Sequence, residues 1–428
     1  MIRTQSLHTS RLVNRSPIFY GWVVWAVATL GMIATSPGQS FTVSLFFDRF
    51  ILDFGLDRTT VSGLYGLGTF IGALTLTWVG RQIDLRGNRL TGVIISALFA
   101  LVLMALSLIS GPLTLLLGFI AIRGLGQGSL SLVNSTAVAQ WFKRHRGRML
   151  SLTVVIFALF QSAYIPWLHQ MLESFDWRQV WIILGLGVGL TILPITWLLM
   201  RNRPEDFGLY PDGQSEAEEQ AQIANEDNWT LSEAKRTPIF WIFIAGRLLW
   251  PAWGTGLIIH VVSLFGALGY EPIIAAETLG RSALVMGLMS LVAGGLIDRF
   301  HPGRLIALQM TTYILTLVLA MGMSQPWMLV VFSIVYGMTG GIGSVFDGAV
   351  WVNLFGRQHQ GAIRGFVITT QVLGSALGPV LFGLSYDFLG GYNPVLWLGI
   401  ALGAFALVLS FFARKPQRQR KFVPVIDG

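Results

Sequence analysis

The chain has 428 residues, of which 53% are apolar and only 12% are charged, and its mean hydropathy is +0.64. A soluble domain carries about 25% charged residues, so the composition excludes a set of soluble domains and indicates an integral membrane protein. The absence of cysteine excludes disulfides, thiolate metal sites and cysteine nucleophiles. The net charge of +8 comes from short basic clusters between apolar runs, which is typical of membrane topology and not of a nucleic-acid-binding domain.

Twelve apolar runs follow one another along the chain. A helix needs about 20 apolar residues to cross the hydrocarbon core of a bilayer. The eighth run is the weakest, because Glu277 and Arg281 interrupt it. No apolar core with a cleavage site precedes the first run, so we expect that run to direct insertion. The sequence therefore predicts an all-α membrane protein with twelve transmembrane helices, at residues 18–44, 60–80, 89–110, 112–140, 148–172, 178–200, 239–266, 273–297, 303–323, 326–355, 362–387 and 392–413.

Charged residues predict the orientation. Most of the 29 Lys and Arg residues lie in the termini and in every second loop. By the positive-inside rule, we expect a multi-pass protein of the plasma (inner) membrane with both termini in the cytoplasm. The polar, acid-rich segment 201–237 separates six spans from six, so we expect six-helix bundles at 1–200 and 238–428 joined by a cytoplasmic linker. Within it, Thr230 and Glu233 have the spacing of a capping box, which predicts a short helix leading to span seven.

A loop motif occurs twice, half the chain length apart. Asp84, Arg86 and Arg89 follow span two, and Asp298 and Arg299 follow span eight. Such a repeat of six helices is a known transporter design, with the substrate site between the halves near mid-membrane. A carboxylate at a helix end can pair with an arginine and release it when the halves rock. These five residues are therefore a candidate gate, and a static turn with solvated charges is the alternative.

The first copy of this motif, Gly-x3-Asp-x2-Gly-x-Arg at residues 80–89, resembles the signature of the major facilitator superfamily, and the resemblance covers essentially the whole chain. The second copy departs from it at His301. Residues 20–22 (Tyr-Gly-Trp) and the segment 203–213 resemble the monocarboxylate and oxalate–formate branch. The resemblance implies two pseudo-symmetric six-helix bundles and transport by alternating access, without a cofactor or metal.

Two positions depart from that branch. Ser290 stands where an arginine of helix eight commonly meets the substrate carboxylate, and Gln371 stands where the oxalate–formate carriers use a lysine. The resemblance thus implies the scaffold, while the usual anion clamp is missing. Neutral hydrogen-bonding groups at both positions favour a larger, singly charged substrate over a dicarboxylate.

Ionisable residues inside the predicted spans indicate a cavity at mid-membrane. A charge there costs at least ~2.5–3.5 kcal/mol on the insertion scale and is usually functional. Arg123, Arg247 and Asp347 fall at similar depth, together with Ser290 and Gln371. Arg123 either contacts substrate or ties helices together, and Arg247 either contacts substrate or forms an ion pair with Asp347. Because burial favours the protonated form of a carboxylate, Asp347 is the candidate carrier of the coupling proton.

Other residues have two interpretations each. Gln39, Gln161 and Tyr164 either bind substrate or make polar contacts between helices. Trp250 and Trp253, on either side of Pro251, line the cavity or pack.

Three residues lie nearer the outer ends of the spans. Glu277 and Arg281 have the i, i+4 spacing of an intrahelical pair and fall near the outer surface, where a rim pair is expected. His260 either senses pH or ends a helix.

The sequence thus predicts a monomeric secondary active transporter of a small organic anion, coupled to protons or to a counter-substrate. The alternative is an exchanger or exporter of a neutral or amphipathic small molecule. A membrane enzyme or sensor is disfavoured, because the chain has no recognised catalytic motif and no long polar domain. The glycine run at 124–128 lies inside an apolar helix, which predicts close helix packing and not nucleotide binding. The expected partners are the solute and the lipid bilayer.

Overall fold

The computed structural model describes residues 11–142, 145–213, 229–297, 302–345, 350–356 and 360–413. All regular elements within these ranges are helices. A bilayer offers no water to an exposed backbone, and a helix satisfies its N–H and C=O groups within the segment. The prediction of an all-α membrane protein is confirmed.

Six spans form the N-terminal half. A 3-10 turn that contains Pro37 breaks span one. Gly87, with φ 80° and ψ 166°, turns the chain between spans two and three. In chain order the helices are Gly21–Ile33 and Ser40–Phe54 (span one), Arg58–Leu74 and Leu76–Ala105 (spans two and three), Pro112–Ile122, Arg123–Leu130 and Ser131–Trp141 (span four), Arg146–Ser174 (span five) and Trp177–Leu199 (span six).

Six further spans form the C-terminal half. Four of them begin with proline, which suits a first helical position because the N–H it lacks would have no partner there. The helices are Pro238–Ala267 (span seven), Pro272–Ile297 (span eight), Pro302–Met321 (span nine), Pro326–Val345 with Trp351–Phe355 (span ten), Gln360–Leu389 (span eleven) and Asn393–Ser410 (span twelve).

Ten described helical stretches are long and apolar enough to cross a membrane. One of them, Arg58–Leu108, contains the turn at Gly87 and therefore accounts for two spans. The two helices of span one are each too short to qualify alone. Large apolar side chains such as Leu190 (75% exposed) cover the outside, as contact with lipid requires. The predicted twelve-span architecture is confirmed.

Glycines let the spans of the N-terminal half approach closely. A Cβ at Gly38 would lie 2.6 Å from the carbonyl oxygen of Ile122, so the break in span one presses against span four. A Cβ at Gly124 would lie 3.4 Å from the Cα of Gly72 in span two. The glycine run of span four therefore serves helix packing, as predicted.

The two halves meet through three helix pairs: spans two and eleven, five and eight, and one and seven. We call one end of the bundle the far side. It is the end opposite Gly21, where span one ends at Phe54 and span two begins at Arg58. Spans five and eight touch backbone to backbone, since a Cβ at Gly280 would lie 2.7 Å from the carbonyl oxygen of Ser162.

The two described parts of the linker dock on different halves. Asn202 accepts a hydrogen bond from Trp141 Nε1 of span four (3.1 Å), and Trp229 N–H donates to the Phe355 carbonyl of span ten (2.9 Å). Thr230 and Glu233 form the predicted capping box at the start of helix Leu231–Ala234. Residues 214–228 lie outside the described ranges, and the division at 201–237 stays a prediction.

Span eleven provides a test of this packing. The Cα of Gly378 lies directly against the carbonyl of Ala252 in span seven, so Gly378→Ala inserts a methyl group where there is no room. Overpacking of this kind costs about 1–3 kcal/mol, and we expect a lower melting temperature of the detergent-solubilised protein. Gly365→Ala is the matched control, because it lies on the same helix with open space around its Cα. Equal melting temperatures for the two variants would contradict the packing.

Candidate functional site

A cavity of about 150 Å³ lies between the two halves. Its wall is mostly aromatic and aliphatic, and none of the described residues that line it is charged. Span seven contributes a helical stripe with i, i+3, i+4, i+7 spacing. The lining residues are Phe41 of span one, Gln161 of span five, Pro251, Gly254, Thr255, Ile258 and Trp250 of span seven, Leu279, Ser282, Ala283 and Met286 of span eight, and Tyr336 of span ten.

The hydroxyl groups of the wall already have partners. Tyr336 donates to the Gly254 carbonyl (3.0 Å), Ser282 donates to the Thr278 carbonyl (2.8 Å), and Thr255 bonds Ser375 (3.1 Å). Gln161, in contrast, forms no hydrogen bond within the described part of the chain, although it is buried. Its amide is therefore available to a solute.

Trp250 and Trp253 turn to different neighbours. The Trp250 ring lies 4.9 Å from that of Tyr336, centroid to centroid, and forms part of the cavity wall. Trp253 donates from Nε1 to the Val395 carbonyl of span twelve (2.8 Å) and packs against Gly399. Trp250 therefore lines the cavity, whereas Trp253 packs between helices.

Arg247 lies one helical turn before Trp250 and is 4% exposed. Its Nη1 donates to the Gly343 carbonyl of span ten (3.0 Å). The guanidinium group thus lies beside the cavity wall without lining the cavity. Asp347, the predicted ion-pair partner and proton carrier, lies outside the described residues, and both of its predicted roles stay predictions.

Arg123 opens the π-helical segment of span four and is 3% exposed. It donates to Thr69 Oγ1 (3.1 Å), the Gly38 carbonyl (3.2 Å) and Ser40 Oγ (3.3 Å), and it lies 5.1 Å from the centre of the Tyr65 ring. These contacts tie spans one, two and four together. Its Nη2 has no hydrogen-bond partner, and it forms no ion pair with a described carboxylate.

Four other predicted substrate residues lie off the cavity wall. Ser290, one turn beyond Met286 on span eight, donates to the Gly287 carbonyl of its own helix (2.7 Å). Gln39 bonds Thr35 (3.0 Å), and the Tyr164 hydroxyl accepts from Thr42 (3.3 Å). Gln371 is half-buried on span eleven and also has an interaction partner. Of the predicted polar substrate residues, Gln161 alone lines the cavity.

Three polar residues of the wall were not predicted: Thr255, Ser282 and Tyr336. Thr255 follows Pro251 by four residues, so the helical stripe on span seven was visible in the sequence. Nothing in the sequence shows that Ser282 and Tyr336 face the same space. Their meeting depends on how spans eight and ten pack.

A family model for the Major Facilitator Superfamily matches residues 29–315 and 267–427. The chain belongs to this superfamily. It is therefore a secondary transporter of small solutes, and the cavity between its halves is the place where the superfamily design puts the solute. No curated protein sequence matches the chain.

Solved transporters share the fold at low identity. A D-xylose–proton symporter is 16% identical, with a TM-score of 0.70 over 92% of this chain and 98% of that one. A bacterial homologue of the human lysosomal transporter Spinster is 17% identical, with a TM-score of 0.64 over 95% and 97%. A nucleoside transporter is 14% identical, with a TM-score of 0.64 over 92% and 98%. These likenesses show the fold alone.

The superfamily loop after span two is open to solvent. Asp84 and Arg86 are exposed and form no hydrogen bond or ion pair with described residues. Arg89 donates from Nε to the Trp197 carbonyl of span six (2.9 Å), and its guanidinium group stacks on the Trp197 ring. Both contacts hold the Arg89 side chain against span six. The predicted pairing of Asp84 with an arginine is absent from this conformation. Asp298 and Arg299 of the second copy lie outside the described residues, and the gate stays a prediction.

Polar contacts close the superfamily transporter on its far side. His260 of span seven is fully buried, and its Nε2 lies 3.1 Å from Ser62 Oγ of span two and from the Pro379 carbonyl of span eleven. Asp387 of span eleven accepts from the backbone N–H of Thr59 at the start of span two (2.7 Å). His260 therefore belongs to the seam between the halves and does not end a helix.

A second pair on the far side stays within one helix. Arg281 lies 3.7 Å from Glu277, and both side chains are partly exposed. The predicted intrahelical pair is confirmed, and its position at the outer membrane surface stays a prediction.

His260 and Ser62 can be tested as a far-side closure. His260→Phe with Ser62→Ala keeps the ring but removes the hydrogen bonds, each worth about 0.5–1.5 kcal/mol. We expect a larger fraction of far-side-open molecules. Because the chain has no cysteine, Ala283→Cys in the cavity wall is a single reporter. An impermeant maleimide added on the far side should label it about 3- to 10-fold faster in the variant.

The control is Glu277→Gln, which breaks the rim pair without touching the seam between the halves. It should leave the labelling rate unchanged. Equal rates in the closure variant and in the otherwise unaltered Ala283→Cys protein would show that these hydrogen bonds do not hold the far side shut.

Proposed function

We propose that the protein carries a small organic anion with an apolar body across the membrane by alternating access, coupled to protons. The observation that supports this most directly is the pair of buried arginines, Arg123 in the N-terminal half and Arg247 in the C-terminal half. Burial of positive charge in a membrane protein is costly and is usually retained for function. An anion between the halves interacts favourably with both guanidinium groups.

The shape of the cavity supports an apolar body for the solute. Phe41, Trp250 and Tyr336 offer aromatic faces, and the volume of about 150 Å³ is that of an engineered apolar cavity that holds benzene. The free amide of Gln161 adds one hydrogen-bonding group to this wall. A monocarboxylate with a ring or a short branched chain fits these features.

The likeness to the monocarboxylate and oxalate–formate branch is part of this proposal. Ser290 and Gln371 replace the two cations expected there, so the second carboxylate of a substrate such as oxalate would lack its partner. A singly charged substrate needs one cationic contact, which Arg247 can supply. We further propose that the protein acts as a monomer in the plasma membrane with both termini in the cytoplasm.

One observation favours a second candidate, a neutral or amphipathic solute. Within the part of the chain that the structure describes, no residue that lines the cavity is charged. In that case the two arginines are structural ties, as the contacts of Arg123 with Thr69 and Gly38 suggest. The charge of the transported solute, negative or neutral, decides between the two candidate functions.

Uptake into proteoliposomes tests the sign. An imposed pH gradient should drive uptake of monocarboxylates, whereas an imposed membrane potential should not, because one anion and one proton together carry no net charge. Arg247→Gln should lower this uptake at least about 10-fold, since a hydrogen bond to a charged group is worth about 1.5–3 kcal/mol. Arg247→Lys keeps the charge but loses the planar fork, so its loss should be smaller. Arg281→Gln, at the rim, is the matched control and should transport normally. Carriage of neutral compounds only, undisturbed in Arg247→Gln, would establish the second candidate.

Proton coupling is tested at Asp347. If this carboxylate carries the coupling proton, Asp347→Asn should abolish accumulation of the anion against its gradient while exchange of labelled for unlabelled anion continues. The measurement is uptake with and without an imposed pH gradient, beside counterflow in the same vesicles. Accumulation that keeps its pH dependence in the variant would place the proton on another group.

A further inference from the structure

Gln309 of span nine is fully buried, and neither its Nε2 nor its Oε1 has a hydrogen-bond partner among the described residues. Buried side-chain amides nearly always have partners, because a polar group deprived of both water and protein loses free energy. Leucine would fill a similar volume in this apolar setting without that loss. A buried amide with both atoms unused indicates that something else binds it.

The amide lies at the back of the cavity wall. A Cβ at Gly343 would lie 2.7 Å from Gln309 Nε2, 3.4 Å from Arg247 Nη1 and 3.6 Å from Trp250 Cδ1. An amide, a guanidinium group and an indole ring thus converge on the bare Cα of Gly343. We call these four residues the Gly343 recess. The Trp250 ring belongs both to this recess and to the cavity wall.

The chemistry of the recess suits an oxygen anion. Gln309 Nε2 and the guanidinium group of Arg247 are both N–H donors, and a carboxylate has two oxygens that accept several hydrogen bonds. Hydrogen bonds from a charged donor to a carboxylate are about twice as strong as neutral ones. In the cavity in front, the side-chain N–H donors among the described lining residues are the amide of Gln161 and the indole of Trp250, and neither is charged.

We propose that the Gly343 recess is the head-group subsite of the transported anion and that Gln309 determines its specificity for carboxylates. The inference rests on the proposed function. The apolar body of the solute occupies the cavity, a turn of the Trp250 ring opens the recess, and the carboxylate accepts hydrogen bonds from Gln309 Nε2 beside Arg247. The missing Cβ at Gly343 gives the amide its room, so glycine is required there.

The experiment uses the full-length purified protein and two probes of equal size, benzoate and its neutral counterpart benzamide. Gln309→Leu removes both unused polar atoms, and Gln309→Glu replaces the amide with a group that repels a carboxylate. Gln325→Leu, at an exposed position before span ten, is the matched control. The readouts are the melting temperature without and with each probe, and the KM for benzoate in proteoliposomes.

We expect Gln309→Leu to melt at or above the temperature of the unaltered protein, because it no longer buries an unpartnered amide. Its KM for benzoate should rise at least 10-fold, and its response to benzamide should stay unchanged. Gln309→Glu should give no benzoate response, and Gln325→Leu should match the unaltered protein. A gain in melting temperature together with weaker carboxylate binding is not what a structural role predicts.

The outcomes separate this inference from the function on which it rests. If the unaltered protein carries benzoate and Gln309→Leu does so with the same KM, the subsite is wrong while the anion transporter stands. If benzoate and other monocarboxylates give no response in the unaltered protein while neutral compounds do, the proposed function fails and the subsite fails with it. A Gln309→Leu protein that melts well below the unaltered one would show that the amide is structural.

Discussion

Close approach between helix backbones is the constraint on which the rest of this structure depends. In a bilayer the apolar surface of a helix gains nothing by leaving lipid for another apolar helix, so association relies on contact and on small residues. Gly38 against span four, Gly280 against span five and Gly378 against span seven each leave room for a backbone group of the neighbouring helix. These contacts fix where spans one, seven and eight stand and thus where the cavity forms.

The polar contacts fall into two groups: hydrogen bonds across the seam between the halves, and hydrogen bonds inside each half. At the far side, His260 and Asp387 bond groups of span two across the boundary, and such bonds can be exchanged for water when the halves separate. Arg123 and Arg247, in contrast, bond carbonyl groups within their own halves. A rocking motion between the halves would therefore leave both arginines bound to their own bundles, each carrying its charge with it.

At the candidate site, an uncharged cavity wall lies next to a buried charge, the guanidinium group of Arg247. Trp250 connects the two, because its ring packs against Tyr336 in the cavity wall and its edge lies near Gly343 beside Arg247. This arrangement separates recognition of shape, by aromatic faces, from recognition of charge, by donors that water does not reach. Low local dielectric strengthens hydrogen bonds in such a recess and also makes an unused donor costly.

Composition was enough to predict a membrane protein with twelve spans, because a span must be apolar along its whole length. The loop motif after span two was enough to predict the superfamily. The capping box at Thr230 and the pair Glu277–Arg281 could also be predicted, because each depends only on residues a few positions apart in the sequence. Only the tertiary structure decided the site. Depth along a helix is readable from sequence, but the direction of a side chain depends on the rotation and tilt that packing imposes. For that reason Ser290 and Tyr164, two predicted substrate residues, do not line the cavity, while Ser282 and Tyr336 came together from spans eight and ten.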